Sequence, residues 1–122
     1  MKMQKSDFEA WFKKLGQAWV NRNPDAALTL FSKDVKYYES VFQPPCNWDG
    51  ALALWQIVPK NQEGVSFEFD LLSYSEDQAV ANFRVSRTLL PDNVPQEING
   101  IFLIKLNEKG LCTLFKQWRT IR

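Results

Sequence analysis

Residues 19–42 read WVNRNPDAALTLFSKDVKYYESVF, and they contain both a helix boundary and a change of hydrophobic period. The Asn23-Pro24 pair ends a first helix near residue 22, because a proline disfavours helical backbone in the residue before it. Pro24 itself suits the first turn of a short second helix that runs to about Phe31. From Asp34 onward apolar side chains alternate with polar ones, which is typical of a half-buried strand. The stretch therefore predicts two helices that fold back on each other, followed by a strand over residues 34–42.

The flanking sequence extends this pattern in both directions. Upstream, apolar side chains recur at helical spacing over about residues 6–22. Downstream, Asp49 can cap a short helix over about residues 50–57, and Pro59 is expected to stop it. Four more strands are predicted, over about residues 65–72, 79–90, 98–106 and 111–121. This order predicts an α+β fold in which an antiparallel sheet carries the helices on one face.

Composition limits the class of protein. With 122 residues, of which 45% are hydrophobic, the chain is expected to form one domain over residues 1–122. A net charge of +1 without long runs of Lys or Arg argues against nucleic-acid binding. No segment approaches the ~20 consecutive apolar residues that a membrane helix needs. The start does not resemble a signal peptide, and Cys46 and Cys112 lack CxxC spacing, so we expect free thiols and a cytoplasmic location.

Histidine is absent from the sequence. Its absence removes the commonest general base near neutral pH, the commonest metal ligand and every Ser-His or Cys-His catalytic arrangement. The sequence also contains no glycine-rich phosphate loop. It therefore indicates neither a metal site nor an organic cofactor.

Several short motifs occur in a characteristic order: Trp19–Ala27 leading into Leu30–Val35, Tyr38–Phe42 before two prolines, Asp49-Gly50, and Phe115–Arg119 near the end. Together with the order of elements, they resemble the SnoaL-like family of the nuclear transport factor 2-like superfamily over nearly the whole chain. The resemblance implies a strongly curved sheet wrapped around about three N-terminal helices. Such a cone has an internal pocket for a small hydrophobic or aromatic molecule. It also leads us to expect a homodimer through the outer face of the sheet.

Glu39 is the first candidate for chemistry. Alternation places it on the same strand face as Val35 and Tyr37, which is the face that must meet the helices. The resemblance implies an acid/base carboxylate at this position, and an apolar pocket would raise its pKa toward the range of a general base. The alternative is a glutamate at the mouth of the cone that is solvated or paired with a neighbouring Arg or Lys.

Two other residues could stabilise charge near Glu39. Arg87 is the single charge on an otherwise apolar row of its strand, so it needs an anionic partner, either Glu39 or an acidic ligand. Alternatively, its side chain extends past the sheet edge to water. Tyr37 could donate a hydrogen bond to a developing oxyanion, or it could simply pack.

Ligand-binding residues are expected on the last strand and in an aromatic wall. The register implied by the resemblance turns Phe115, Gln117 and Arg119 inward and leaves Trp118 on the outer face. The opposite parity and ordinary core packing are the alternatives. The aromatic side chains that could line a pocket lie in the loop and helix that close the cone and on inward strand rows: Trp48, Trp55, Phe69, Phe83 and Phe102.

Differences from known members of the superfamily argue against two of the activities found there. The chain has Leu15 where steroid isomerases carry an oxyanion-binding tyrosine, and it lacks the histidine that scytalone dehydratase-like catalysis needs. The catalytic hypothesis is cofactor-independent proton transfer of the isomerase, cyclase or dehydratase type, with Glu39 as general acid/base and Tyr37 and Arg87 stabilising an enolate. The alternatives are a non-catalytic binding or sensing module and a structural dimer whose own side chains fill the cone.

Overall fold

The computed structural model describes residues 3–122 and confirms the α+β fold class. Met1 and Lys2, which the predicted domain includes, lie outside the described residues. Within the described part of the chain the elements follow one another in the order α1 (Lys5–Val20), α2 (Pro24–Leu28), β1 (Phe31–Tyr37), α3 (Trp48–Asn61), β2 (Gln62–Ser75), β3 (Gln78–Leu89), β4 (Val94–Leu106) and β5 (Cys112–Ile121).

The strands form one open, curved sheet in the order β1-β5-β4-β3-β2. Strands β2 to β5 pair with their neighbours in antiparallel fashion. In contrast, β1 pairs in parallel with β5, which departs from the predicted antiparallel sheet. Parallel neighbours need a crossover connection, and here α3 and three strands supply it. Strand β2 has two register shifts, between Glu63 and Ser66 and between Leu71 and Ser73, and irregularities of this kind bend a strand.

Helix α1 packs into the concave face of the sheet. Its buried side chains recur at helical spacing: Phe8, Trp11, Phe12, Leu15 and Trp19. The ring centroid of Phe12 lies 5.4 Å from that of Phe69 on β2 and 6.1 Å from that of Phe102 on β4. Burying each large apolar side chain contributes about 1.5–3 kcal/mol. This contact therefore holds α1 inside the curved sheet and closes one wall of the cone.

Helix α3 differs from the prediction at both ends. Asn47 caps it, not Asp49, because the Oδ1 atom of Asn47 accepts a hydrogen bond from the Gly50 N–H at 2.9 Å. The helix also continues through Pro59 to Asn61. A proline in the last turn removes only one N–H, and the backbone N–H of Gln62 still donates to the Val58 carbonyl.

Strand β1 ends at Tyr37, earlier than predicted. The backbone of Tyr37 bridges Cys46, with N–H to carbonyl distances of 3.0 and 2.8 Å, while Tyr38 N–H donates to the Phe115 carbonyl at 2.8 Å. The chain then leaves the sheet, so Val41 is 48% exposed, contrary to simple alternation, and Phe42 is 95% exposed. Glu39 lies in the bend immediately after the strand.

Candidate functional site

A cavity of about 220 Å³ lies between α1, α3 and the concave face of the sheet. Buried apolar side chains from all three sides line its inner part: Leu15, Trp19, Trp55, Val58, Phe102 and Phe115. Polar and charged groups line the remainder, where Tyr37, Glu39, Arg87, Gln117 and Arg119 come together. The cone therefore contains one compartment that combines an apolar interior with a cluster of ionisable groups.

Glu39 points into this cavity and is held by two groups of β5. Its Oε2 atom accepts a hydrogen bond from Gln117 Nε2 at 3.3 Å, and its Oε1 atom lies 3.2 Å from Arg119 Nη2. Its side chain is 29% exposed. The inward position agrees with the prediction, but the carboxylate is also paired with a neighbouring arginine, as the alternative predicted.

Burial raises the pKa of Glu39 above its usual range. The positive charge of Arg119 and its hydrogen bond oppose this shift, and so do the charge of Arg87 and the hydroxyl of Tyr37. Loss of hydration disfavours the carboxylate, whereas nearby guanidinium groups favour it. The net upward shift places Glu39 closer to the range in which a general base is efficient.

The Tyr37 hydroxyl lies at the side of the same cavity. It accepts a hydrogen bond from Trp55 Nε1 at 3.1 Å, and the residue is only 3% exposed. Burial raises the pKa of Tyr37 well above its usual range, and the charge of Glu39 raises it further. The phenol is therefore neutral near pH 7 and keeps its proton as a hydrogen-bond donor.

Arg87 enters the cavity from β3. Its Nε atom donates to Gln96 Oε1 at 2.7 Å, and its Nη2 atom donates to the same oxygen. Burial lowers the pKa of Arg87, and the nearby charge of Arg119 lowers it further. Since a guanidinium is not deprotonated in proteins, Arg87 keeps its charge.

Eight of the predicted site residues line the cavity: Tyr37, Glu39, Trp55, Arg87, Phe102, Phe115, Gln117 and Arg119. The inward parity of the last strand is confirmed, because Phe115 and Gln117 are buried whereas Trp118 is 43% exposed. That these residues bind a ligand or act in catalysis stays a prediction.

Three aromatic residues predicted to line the pocket lie outside it. The Trp48 indole donates to the Leu28 carbonyl at 3.1 Å. Phe83 lies behind Phe102, with ring centroids 3.8 Å apart. Phe69 packs against Phe12. Phe69 and Phe83 do lie on the predicted inward strand rows, but the rings of Phe12 and Phe102 pack against them.

Sequence reasoning missed the residues at the C-terminal end of α3. Val58, Asn61 and Gln62 all line the cavity, and so does Trp19 of α1, which was not among the predicted site residues. Trp19 Nε1 donates to Gln62 Oε1 at 2.9 Å, which joins the ends of α1 and α3. The helical spacing of Trp55, Val58 and Gln62 is a signal for this face, but the expected stop at Pro59 hides it.

Residues 3–122 contain no cluster of three or more His, Cys, Asp or Glu side chains that could hold a metal ion. Cys46 and Cys112 are free thiols, as predicted. None of the helices in the described chain has the length and apolar character to cross a membrane.

Replacing Arg119 by glutamine is expected to raise the pKa of Glu39 further, because the largest charge that stabilises the carboxylate is removed. A carboxyl whose pKa is higher in the folded state contributes stability that is lost as pH rises through that pKa. The loss of stability above the usual glutamate range should therefore grow in Arg119→Gln. Carboxyl ¹³C NMR titration measures the pKa, and Arg84→Gln on the outer face serves as the control. An unchanged or lower pKa would contradict the expectation.

A curved sheet wrapped around helices, with a cavity at the concave face, defines the class of nuclear transport factor 2-like cones. Residues 8–115 match the family model described as a SnoaL-like domain. The chain therefore belongs to the SnoaL-like family, and the resemblance inferred from the sequence is confirmed. A search of curated protein sequences finds no match.

Solved structures share the fold at low sequence identity. RV0760c from Mycobacterium tuberculosis is 14% identical with a TM-score of 0.76, and the alignment covers 99% of this chain and 100% of that one. A candidate polyketide cyclase from Xanthomonas campestris is 13% identical with a TM-score of 0.77, and the coverage is 93% and 90%. TsrD from Streptomyces laurentii is 13% identical with a TM-score of 0.78, and the coverage is 97% and 91%. At such identities the likeness establishes the fold alone.

Proposed function

We propose that this protein binds a small hydrophobic or aromatic carbonyl compound in its cone and catalyses proton transfer on it. The observation that carries the proposal is the juxtaposition of Glu39 and Tyr37 at an apolar cavity. A carboxylate with a raised pKa is a suitable base, and a buried neutral phenol is a suitable hydrogen-bond donor to an oxyanion. The description of one structural neighbour as a candidate polyketide cyclase supports the same class of chemistry.

The reaction step needs no external oxidant or cofactor. Glu39 removes a proton from the carbon next to the carbonyl, the C–H electron pair forms the enolate, and the negative charge develops on oxygen. The Tyr37 hydroxyl donates a hydrogen bond to that oxygen, and the positive charge of Arg87 stabilises it through space. Protonated Glu39 then returns the proton to the same carbon or to a conjugated one, which regenerates the carboxylate.

The size of the cavity restricts the ligand. An apolar cavity of about 150 Å³ is enough for benzene, and drug-sized molecules occupy pockets of about 300–1,000 Å³. The 220 Å³ available here therefore fits a single ring with a short substituent, or an open chain of similar size. Substrates with several fused rings would have to extend out of the mouth.

A deuterium-exchange experiment tests the proposal without knowledge of the natural substrate. Small ketones such as acetophenone and cyclohexenone are incubated with the protein in D₂O, and the loss of the protons next to the carbonyl is followed by NMR. Acceleration that saturates with ketone concentration supports proton transfer in the cavity. Ketones that bind without accelerated exchange would argue against catalysis.

The pairing of Glu39 favours one alternative, a non-catalytic binding or sensing module. Both carboxylate oxygens already accept hydrogen bonds, from Gln117 and Arg119. In a binding module this arrangement would simply satisfy a half-buried charge. Ligand binding that is unaffected when Glu39 is replaced, without exchange or product, is the result expected for this alternative.

We also propose a homodimer through the outer face of the sheet and a cytoplasmic location. Apolar side chains lie partly exposed on the outer face of β4 and β5: Ile101, Leu103, Leu114 and Trp118. Burial of such a patch against a second copy would be favourable. Sedimentation is expected to give a dimer for the wild type and a monomer for Trp118→Glu. A monomeric wild type would contradict the dimer.

A further inference from the structure

The charges around the cavity do not balance. The charged side chains among its lining residues are two guanidinium groups, Arg87 and Arg119, and one carboxylate, Glu39. All three influence one another, since Arg119 and Glu39 both shift the pKa of Arg87. The cavity therefore carries an excess of one positive charge when Glu39 is ionised.

Of the two guanidinium groups, Arg87 is the one that lacks a paired carboxylate. Arg119 pairs with Glu39 at 3.2 Å, whereas Arg87 is held by the neutral amide oxygen of Gln96. Within residues 3–122, no carboxylate lies within salt-bridge distance of Arg87. Gln96 fixes the orientation of the guanidinium but leaves its charge without an anionic partner. The remaining N–H groups of Arg87 are thus available to an acceptor in the cavity.

The charged groups and the apolar surface occupy different parts of the cavity. Glu39 and Arg119 keep 29% and 28% of their side chains exposed, so they lie near the mouth. Leu15, Phe102 and Phe115 are almost completely buried and form the interior. An amphipathic ligand would place its apolar part inward and its polar end beside the guanidinium groups, where the polar end remains partly hydrated.

We propose that the ligand of this cavity is a small carboxylic acid whose carboxylate binds Arg87 while its ring or chain packs on Phe102 and Phe115. This assignment rests on the proposed function and names its ligand class. A carboxylate neutralises the one excess charge and matches the planar fork of a guanidinium. A neutral ligand would leave the charge of the half-buried Arg87 without an anionic partner, which is unfavourable. A phosphate monoester, with a charge of about −1.5 to −2 near pH 7, would exceed the single charge available.

The role of Arg87 in stabilising an enolate is compatible with this contact. Its charge acts through space, and contact with the enolate oxygen is assigned to Tyr37. The substrate would then be a small oxo acid, with its carboxylate at Arg87 and its carbonyl between Tyr37 and Glu39.

Binding of size-matched probes tests the proposal. Phenylacetate and phenylacetamide have the same ring and nearly the same shape, and they differ in charge. Titration calorimetry, supported by the fluorescence of Trp19 and Trp55 in the cavity wall, gives their dissociation constants. Phenylacetate is expected to bind at least about tenfold more tightly than the amide, since truncating one partner of a half-buried charge pair has effects of this size or larger.

Variants of Arg87 test whether this residue causes the preference for phenylacetate over phenylacetamide. Arg87→Gln is expected to abolish the difference between acid and amide, whereas Arg87→Lys should keep part of it. Arg84→Gln is the matched control, because Arg84 lies on the same strand but faces outward and pairs with Glu68 and Asp70. The control should bind phenylacetate like the wild type.

Several results would overturn the assignment. They are equal binding of acid and amide, no binding of phenylacetate, benzoate or cinnamate to the wild type, tighter binding of phenyl phosphate, and an unchanged preference in Arg87→Gln. None of these binding results affects the ketone exchange experiment, so the proposed proton transfer is tested separately. Conversely, a carboxylate preference that depends on Arg87 without any proton exchange would retain the ligand class and reject the catalytic proposal.

Discussion

Replacement of Glu39 by glutamine is expected to slow proton exchange in bound ketones by about 10²–10⁴-fold, which is the usual contribution of a positioned general base. Glutamine keeps nearly the same shape and can still contact Gln117 and Arg119, which now hold the carboxylate. It cannot accept the proton. Ligand affinity should therefore change little while the exchange rate falls.

The pH dependence gives this experiment a second readout. Because only ionised Glu39 can act as the base, the wild-type rate should rise with pH through the raised pKa of Glu39 and level off above it. In Glu39→Gln the exchange rate should not show this rise with pH. Glu97→Gln is the matched control, since Glu97 is an exposed carboxylate that pairs with Arg122 away from the cavity. An undiminished rate in Glu39→Gln would remove Glu39 from the mechanism.

Replacement of Phe102 by alanine is expected to lower the free energy of unfolding by about 3–5 kcal/mol. The Phe102 ring is 1% exposed, stacks on Phe83 at 3.8 Å and lies 5.1 Å from the ring of Phe115. Removing it forfeits those contacts and enlarges the existing cavity, which the surrounding sheet can fill only in part. Urea denaturation followed by circular dichroism measures the change.

Phe42→Ala is the matched control for this substitution. Phe42 is 95% exposed in the loop after β1, so its removal should change the stability by less than about 0.5 kcal/mol. If the two variants proved equally stable, Phe102 would not have the role in the core that its packing indicates.

The fold could be predicted from the sequence because periodicity is a local property. The change from helical spacing to alternation after residue 34, and the alternation in the later strands, are set by which side chains can share an apolar face. Element boundaries were less accurate. The early end of β1 depends on the bridge between Tyr37 and Cys46, which is a pairing of segments separated along the chain.

The site could be predicted in part. Alternation placed Glu39, Tyr37 and Arg87 toward the concave face, and the register implied by the family placed Gln117 and Arg119 there as well. Alternation does not show how many layers of side chains separate a residue from the cavity. Phe69 and Phe83 therefore could not be distinguished from Phe102, and the extension of α3 beyond Pro59 was missed.

By itself, the amino-acid sequence determined the α+β class, the SnoaL-like family and the absence of histidine chemistry, because these follow from residue types and their spacing. Only the tertiary structure decided that Glu39 pairs with Arg119 and that Arg87 is held by a neutral amide. Residues 39 and 119 meet through the parallel pairing of β1 with β5. Their partnership depends on distances between side chains far apart in the chain, which local periodicity does not contain.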